Sequence, residues 1–269
     1  MTSEATEEMR SIFEVLPIYQ YTERRTMNTI HIIGIGPGKK EYMTLQAIRA
    51  LEQADLIIGY HVYVDLVKPI FPEKEYLTTP MKKEADRCKL CFEEAAKGKS
   101  VALVCSGDAG VYGMAGLMEY FGQDYPDITI RTVCGVTAAL SGAGVLGAPL
   151  IQDFAIISLS DLLTPWETIE KRLLAAAGAD MVICLYNPSS KNRPDYLKKA
   201  CEIILTHAAP DTVCGYVENI GRDGETSHIC TLAELKETAV NMFTTVFIGN
   251  SQTKRINGKM VTPRGYRLE

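Results

Sequence analysis

Four glycine-bearing turns, each following an apolar run, hold most of the side chains in this chain that could do chemistry. They are Gly34-Ile-Gly-Pro-Gly-Lys39, Cys105-Ser-Gly-Asp-Ala-Gly-Val-Tyr-Gly113, Cys134-Gly-Val-Thr-Ala-Ala139 and Leu185-Tyr-Asn-Pro-Ser-Ser-Lys-Asn-Arg193. Glycine lets a backbone approach a ligand closely, and in open parallel sheets ligands lie beyond the carboxyl ends of the strands. The first turn fails two familiar tests. A dinucleotide fingerprint would need Gly where Lys39 stands, and the Gly-Lys-Ser/Thr of a P-loop is missing. Pro37 also removes an N–H that a pyrophosphate would use. That turn reads equally as a tight bend or as a cofactor loop. Asp108 reads as an acceptor for a ribose or an amino group, or as a helix cap. Thr137 has the same two readings. The fourth turn is too polar for a plain connector, although Asn-Pro also starts turns.

The elements that must carry these turns alternate along the chain. Strands are expected at Thr29–Ile35, Asp55–Gly59, Ser100–Cys105 and Ile128–Val133, with helices at Thr44–Gln53, Glu84–Ala96 and Val111–Phe121. A second set places strands at Phe154–Leu159, Met181–Leu185, Val213–Glu218, Thr226–Cys230 and Thr244–Ile248, with Thr226–Cys230 expected to pair antiparallel. Its helices are Trp166–Ala177, opened by a Thr164 cap and Pro165, Asp195–His207 and Leu232–Val240. This pattern predicts two α/β domains with mostly parallel sheets and a cleft between them. The boundaries read as an N-terminal extension over 1–26, domains over 27–136 and 137–262, and a tail over 263–269. The folded body is expected to begin at Met27.

Composition narrows the partners. Lys plus Arg total 28 against 33 Asp plus Glu, a net charge of −5, which argues against a nucleic-acid surface. No apolar run approaches the roughly 20 residues of a membrane span. Eight cysteines sit mostly inside apolar runs, where free thiols pack as small hydrophobes. With no secretory leader, a reduced cytoplasmic protein is expected. Cys88 and Cys91 lie three apart on an expected helix, but a structural zinc site wants a second such pair, so no metal is expected.

Together the turns resemble the tetrapyrrole methyltransferases, the S-adenosylmethionine-dependent family of the cobalamin and siroheme pathways. The resemblance spans Thr29 to Gly249 and rests on Gly34-Ile-Gly-Pro-Gly38, Ser106-Gly-Asp108 and Gly135-Val-Thr-Ala138. Gly59-Tyr-His-Val-Tyr63, the stretch Ser106 to Tyr112, Tyr186 to Arg193 and Val217 to Arg222 are most similar to the branch that methylates carbon 17 of precorrin-3B. The resemblance implies a methyl donor folded in the cleft, held by Pro37, Ser106, Gly107, Asp108, Val111, Thr137, Ala138, Tyr186 and Gly221, with Thr245 a weaker contact. It also implies a homodimer and, in that branch, ring contraction of precorrin-3B or its cobalt form. In-line displacement mainly needs the partners held close, with no metal. A proton must also move, and His61, Tyr60 and Asp108 are the candidate acids or bases. A carboxylate-rich acceptor conflicts with a net charge of −5 unless bases line the cleft. Lys39, Lys82, Asn187, Lys191, Arg193 and Arg222 are the expected substrate contacts. The rival readings are a sister methyltransferase acting on precorrin-4 or uroporphyrinogen III, a nicotinamide oxidoreductase and a non-catalytic tetrapyrrole carrier.

Overall fold

A computed structural model of the chain describes residues 28–265. The expected extension over 1–26, the start at Met27 and the end of the expected tail fall outside those residues. The first sheet contains β1 (Thr29–Gly34), β2 (Leu56–Tyr60), β3 (Glu75–Thr79), β4 (Val101–Cys105) and β5 (Thr129–Val133) in the order β3-β2-β4-β1-β5. Every neighbouring pair is parallel. β1 and β4 are buried at every residue and β2 at all but its last, because helices cover both faces of a parallel sheet. Alternate residues serve the two faces. Ile30, Ile32, Leu56 and Ile58 pack with Cys88, Cys91 and Phe92 of α3 (Glu84–Ala96). Ile33, Ile57 and Val104 pack with Ala47 and Leu51 of α1 (Leu45–Gln53) and Val64 of α2 (His61–Val67). α4 (Ala115–Gly122) completes this half.

The second sheet has the expected antiparallel strand over Thr226–Thr231 but departs from the mostly parallel expectation at Thr244–Ile248. Its strands are β7 (Phe154–Ser158), β8 (Val182–Tyr186), β9 (Val213–Glu218), β10 (Thr226–Thr231) and β11 (Thr244–Ile248), in the order β10-β9-β11-β8-β7. Only β7–β8 is parallel, and the other three pairings are antiparallel. Apolar periodicity reports burial and is blind to strand direction. β11 enters antiparallel after a short α8 (Leu232–Lys236), held by a Thr231–Glu234 capping box. α5 (Ala138–Leu146), α6 (Trp166–Gly178) and α7 (Tyr196–Ile204) cover this half. A third sheet joins β6 (Gly147–Ala148) to a C-terminal hairpin, β12 (Lys254–Ile256) and β13 (Lys259–Val261).

Several expected bounds move for local reasons. The expected helix over 111–121 begins only at Ala115, because Asp108 draws Gly110 and Val111 into a turn and Tyr112 sits at φ 53°. Pro165 is itself the cap residue of α6, and no side chain supplies a cap hydrogen bond there. The helix expected over 232–240 stops at Lys236. Strand β3 has no counterpart in the sequence reading because its edge position leaves it largely unburied. Among the described residues no helix is long and apolar enough to cross a membrane.

Two glycines give opposite expectations. A Cβ on Gly135 would collide with the carbonyls of Gly107 and Gly34, whereas one on Gly144, inside α5, meets nothing within 4 Å. Gly135→Ala should therefore destabilise by about 1–3 kcal/mol. Gly144→Ala should stabilise by about 0.5–1 kcal/mol. Urea unfolding midpoints measure both. Thiol titration checks the packing. Cys134 is exposed, while burial pushes Cys88 and Cys105 up to about 11 and Cys184 and Cys201 up to about 12. At pH 8 Cys134 should react with Ellman's reagent well before these four, which should follow only on unfolding.

Candidate active site

The strand order β4-β1-β5 brings three of the four turns together at one end of the first sheet. The Ile35 N–H donates to Cys105 O at 2.9 Å, and Gly36 and Gly107 exchange N–H···O bonds of 3.0 and 2.8 Å. At Gly34 a Cβ would stand 2.7 Å from both Gly107 O and Gly135 N. The three backbones thus touch where only glycine fits. Asp108 locks the arrangement. Its Oδ1 accepts from the Gly110 and Val111 N–H groups, at 2.8 and 3.1 Å, and its Oδ2 accepts from the Gly135 N–H at 2.9 Å. Both carboxylate oxygens are therefore engaged by backbone. That geometry makes Asp108 the fastener of two turns rather than an acid or base.

Three ties bring the second sheet against these turns. Tyr186, at the end of β8, shares a 2.6 Å hydrogen bond with Thr137 Oγ1 and accepts from the Ala139 N–H at 2.6 Å. Burial raises its phenol above the ordinary value, against the opposing pull of those two hydrogen bonds. Thr137 precedes α5, but its hydroxyl serves Tyr186 and does not cap the helix. Ala138 opens α5. Tyr112 reaches the free edge of β7, donating to Ile156 O at 3.0 Å and accepting from the Ser158 N–H at 3.1 Å. Its ring lies 5.6 Å from that of Tyr186.

The third tie is Arg222, which donates from Nε to Pro37 O and from Nη2 to Ser106 Oγ, each at 2.9 Å. Pro37 also faces Gly221, where a Cβ would lie 2.8 Å from the proline Cγ. The Gly221 N–H donates to Glu225 at 2.7 Å. Burial lowers the Arg222 pKa below its ordinary value, and the nearby Tyr63 phenol opposes the shift. Thr245 is buried near the start of β11, opposite Val217.

The expected bases divide. Arg193 is engaged by Asp161 at 3.0 Å, Ser160 at 2.9 Å and Ser190 at 3.2 Å, so it shapes its own turn. Asn187 donates to Ser158 Oγ at 2.9 Å. Lys39 forms a 3.7 Å pair with Asp223, both exposed, of the kind that contributes little. Lys82 and Lys191 are exposed, and Lys82 sits at φ 64°. His61 is exposed at the start of α2, its ring 4.4 Å from that of Tyr60. Tyr60 lies 5.2 Å from Tyr63. Sequence reasoning gave no role to Tyr63, Arg87, Tyr112 or Phe243. Tyr63 and Tyr112 lay within quoted motifs, but Arg87 sits mid-helix and Phe243 in a loop, with no local signal.

The cleft therefore offers backbone amides, hydroxyls and a half-buried guanidinium, gathered from both sheets. Among the described residues no cluster of His, Cys, Asp and Glu could hold a metal ion. Tyr186→Phe should leave the fully buried Ala139 N–H unpaired and lower stability by about 1–3 kcal/mol in urea unfolding.

Residues 29–236 match the family model described as Tetrapyrrole (Corrin/Porphyrin) Methylases. The chain is 44% identical over 240 residues to a probable cobalt-factor III C(17)-methyltransferase of Salmonella typhimurium, covering 89% of this chain and all of that one. It is 46% identical to the cobalamin biosynthesis protein CbiHC of Archaeoglobus fulgidus, over 88% of this chain and 52% of that longer protein. The crystal structure of the methyltransferase CobJ superposes with a TM-score of 0.80 at 34% identity, covering 88% of this chain and all of that one.

Proposed function

The chain belongs to the tetrapyrrole (corrin/porphyrin) methylases, and from that membership we propose that it transfers a methyl group from S-adenosylmethionine to carbon 17 of cobalt-factor III or precorrin-3B, with ring contraction, in cobalamin biosynthesis. The observation that carries this reading is the convergence of the Gly34–Gly38, Ser106–Asp108 and Thr137–Ala138 turns on Tyr186 and the Gly221–Arg222 turn.

The residues present fit such a donor. A Cβ on Gly107 would stand 3.6 Å from Thr137 Cα and 3.8 Å from Ala138 N, in the gap between these two turns. The positive φ of 69° at Gly107 and its lack of a side chain leave bare backbone facing the Thr137–Ala138 turn. Pro37, Ser106, Gly107, Val111, Thr137, Ala138, Tyr186 and Gly221 would hold the donor, with Thr245 behind them. When bound, its sulfonium supplies an electrophilic methyl group to an electron-rich ring carbon.

The chain's own task is then positioning and exclusion of water. Asp108 fixes the Gly110–Val111 turn against Gly135, so the surface of the site is rigid before anything binds. Rigid geometry is the main contribution that an in-line displacement asks of a protein. Tyr112 closes the gap between the halves along β7. For the proton that ring contraction moves, Tyr60 Oη and the His61 imidazole are the acid–base candidates. Lys39, Lys82, Lys191 and Arg222 are the candidate substrate contacts. Asn187 and Arg193 act indirectly, by shaping the turn after β8. We place the protein in the cytoplasm as a homodimer with no nucleic-acid or membrane partner, and we keep the division into domains over 27–136 and 137–262.

Calorimetry with S-adenosylhomocysteine should give one site per chain. Turnover of cobalt-factor III or metal-free precorrin-3B should give a product methylated at carbon 17, read by mass and NMR. Methylation at another carbon would identify a sister enzyme instead, and absence of S-adenosylhomocysteine binding would overturn the reading.

A further inference from the structure

Two guanidiniums whose charges both reach Tyr63 lack an acidic partner among the described residues. Arg87, in α3, is only 3% exposed, yet its donors meet neutral acceptors: Thr79 Oγ1 at 2.7 Å, Pro80 O at 3.1 Å and Met114 Sδ at 3.2 Å. Arg222 likewise meets Pro37 O, Ser106 Oγ and the face of Phe243, 5.8 Å away. Among the described residues neither forms an ion pair with a carboxylate. Buried guanidiniums are ordinarily paired with an acid, and a thioether is a weak acceptor.

Tyr63 stands in the field of both. Its phenol is raised by burial and pulled back by Arg222 first and Arg87 after it. Tyr63 forms no side-chain hydrogen bond among the described residues. Its ring is edge-on to Tyr60 at 5.2 Å, so one turn of α2 presents Tyr60, His61 and Tyr63 together. The set contains two cations and neutral rings, with no carboxylate of its own.

On the reading of the cleft as a tetrapyrrole methyltransferase site, we propose that Tyr63 and the uncommitted Nη1 of Arg222 form a receptor for one peripheral carboxylate of the tetrapyrrole. Arg87 stands behind them as a positioning residue. The phenol O–H and a guanidinium N–H both donate to the carboxylate, a charge-assisted pair stronger than neutral hydrogen bonds. Arg87 holds the Thr79–Pro80 turn and Met114 in place, and its own charge adds to the attraction. This eases the sign conflict of an acidic chain binding a polyacid, because Arg87 and Arg222 carry positive charge that no carboxylate of the chain pairs with among the described residues.

The test uses the full chain, with uroporphyrin and its octamethyl ester as fluorescent probes in one detergent, and S-adenosylhomocysteine in parallel calorimetry. The wild type should prefer the free acid strongly. Tyr63→Phe should weaken free-acid binding about tenfold, the loss expected for one hydrogen bond to a charged group, while ester binding and S-adenosylhomocysteine affinity stay put. Arg222→Lys should also shrink the acid-to-ester ratio, and Arg87→Lys should do so less. A merely structural role would move acid and ester binding together. An unchanged ratio in both Tyr63→Phe and Arg222→Lys overturns the receptor. So does a wild type that binds S-adenosylhomocysteine without preferring the acid, an outcome that leaves the methyltransferase reading intact. A wild type that binds neither S-adenosylhomocysteine nor porphyrin sinks that reading, and the receptor with it.

Discussion

The site depends on three peptide backbones that touch. Gly34, Gly107 and Gly135 come from the ends of β1, β4 and β5, and each would strike a neighbour or strain its turn if it carried a side chain. Parallel pairing dictates this meeting, because adjacent parallel strands end at the same edge of the sheet. With the backbones in contact, one carboxylate suffices to hold two turns, and Asp108 occupies that position. The polar groups facing the cleft are therefore fixed by main-chain geometry, which is stiffer than any arrangement of long side chains.

Around this knot the two sheets are joined by aromatic hydroxyls and one guanidinium. Tyr112 satisfies backbone groups of β7 in the other half, Tyr186 ties β8 to the start of α5, and Arg222 reaches Pro37 and Ser106. These contacts are polar and directional, and they differ from the apolar packing that holds each sheet to its helices. A cleft lined in this way resists collapse without being filled. It also concentrates positive charge where the chain as a whole is acidic.

The first sheet was readable because burial on both faces imposes mostly apolar runs, and β2 and β4 have them, with β1 interrupted only by His31. The turns were readable because glycine and Asp108 are rare solutions to a crowded backbone. The direction of β11 was not readable, since an antiparallel β11 between β8 and β9 buries the same residues as a parallel one. Side-chain roles were legible only where a single local cause acts. Arg193 looked like an anion receptor until Asp161, 32 residues away, was seen to neutralise it. Arg222 is bound to Ser106 at a separation of 116 residues, and no local pattern records such a contact.

The hairpin β12–β13 has a consequence for how the molecule is made. β13 pairs with β6, joining Met260 to Gly147 and Val261 to Ala148, and the Thr262 N–H reaches Ala148 O. β6 directly follows α5, the helix that leaves the cleft. During synthesis both large sheets can emerge and pair while β6 still lacks its neighbour. β6, β12 and β13 all follow Ala138, so this small sheet fastens α5 within the second half and is completed only after both large sheets have been made. Closing so long a loop is slow relative to local pairing, so the folding chain passes through an interval with both large sheets built and α5 not yet pinned by the strand that follows it.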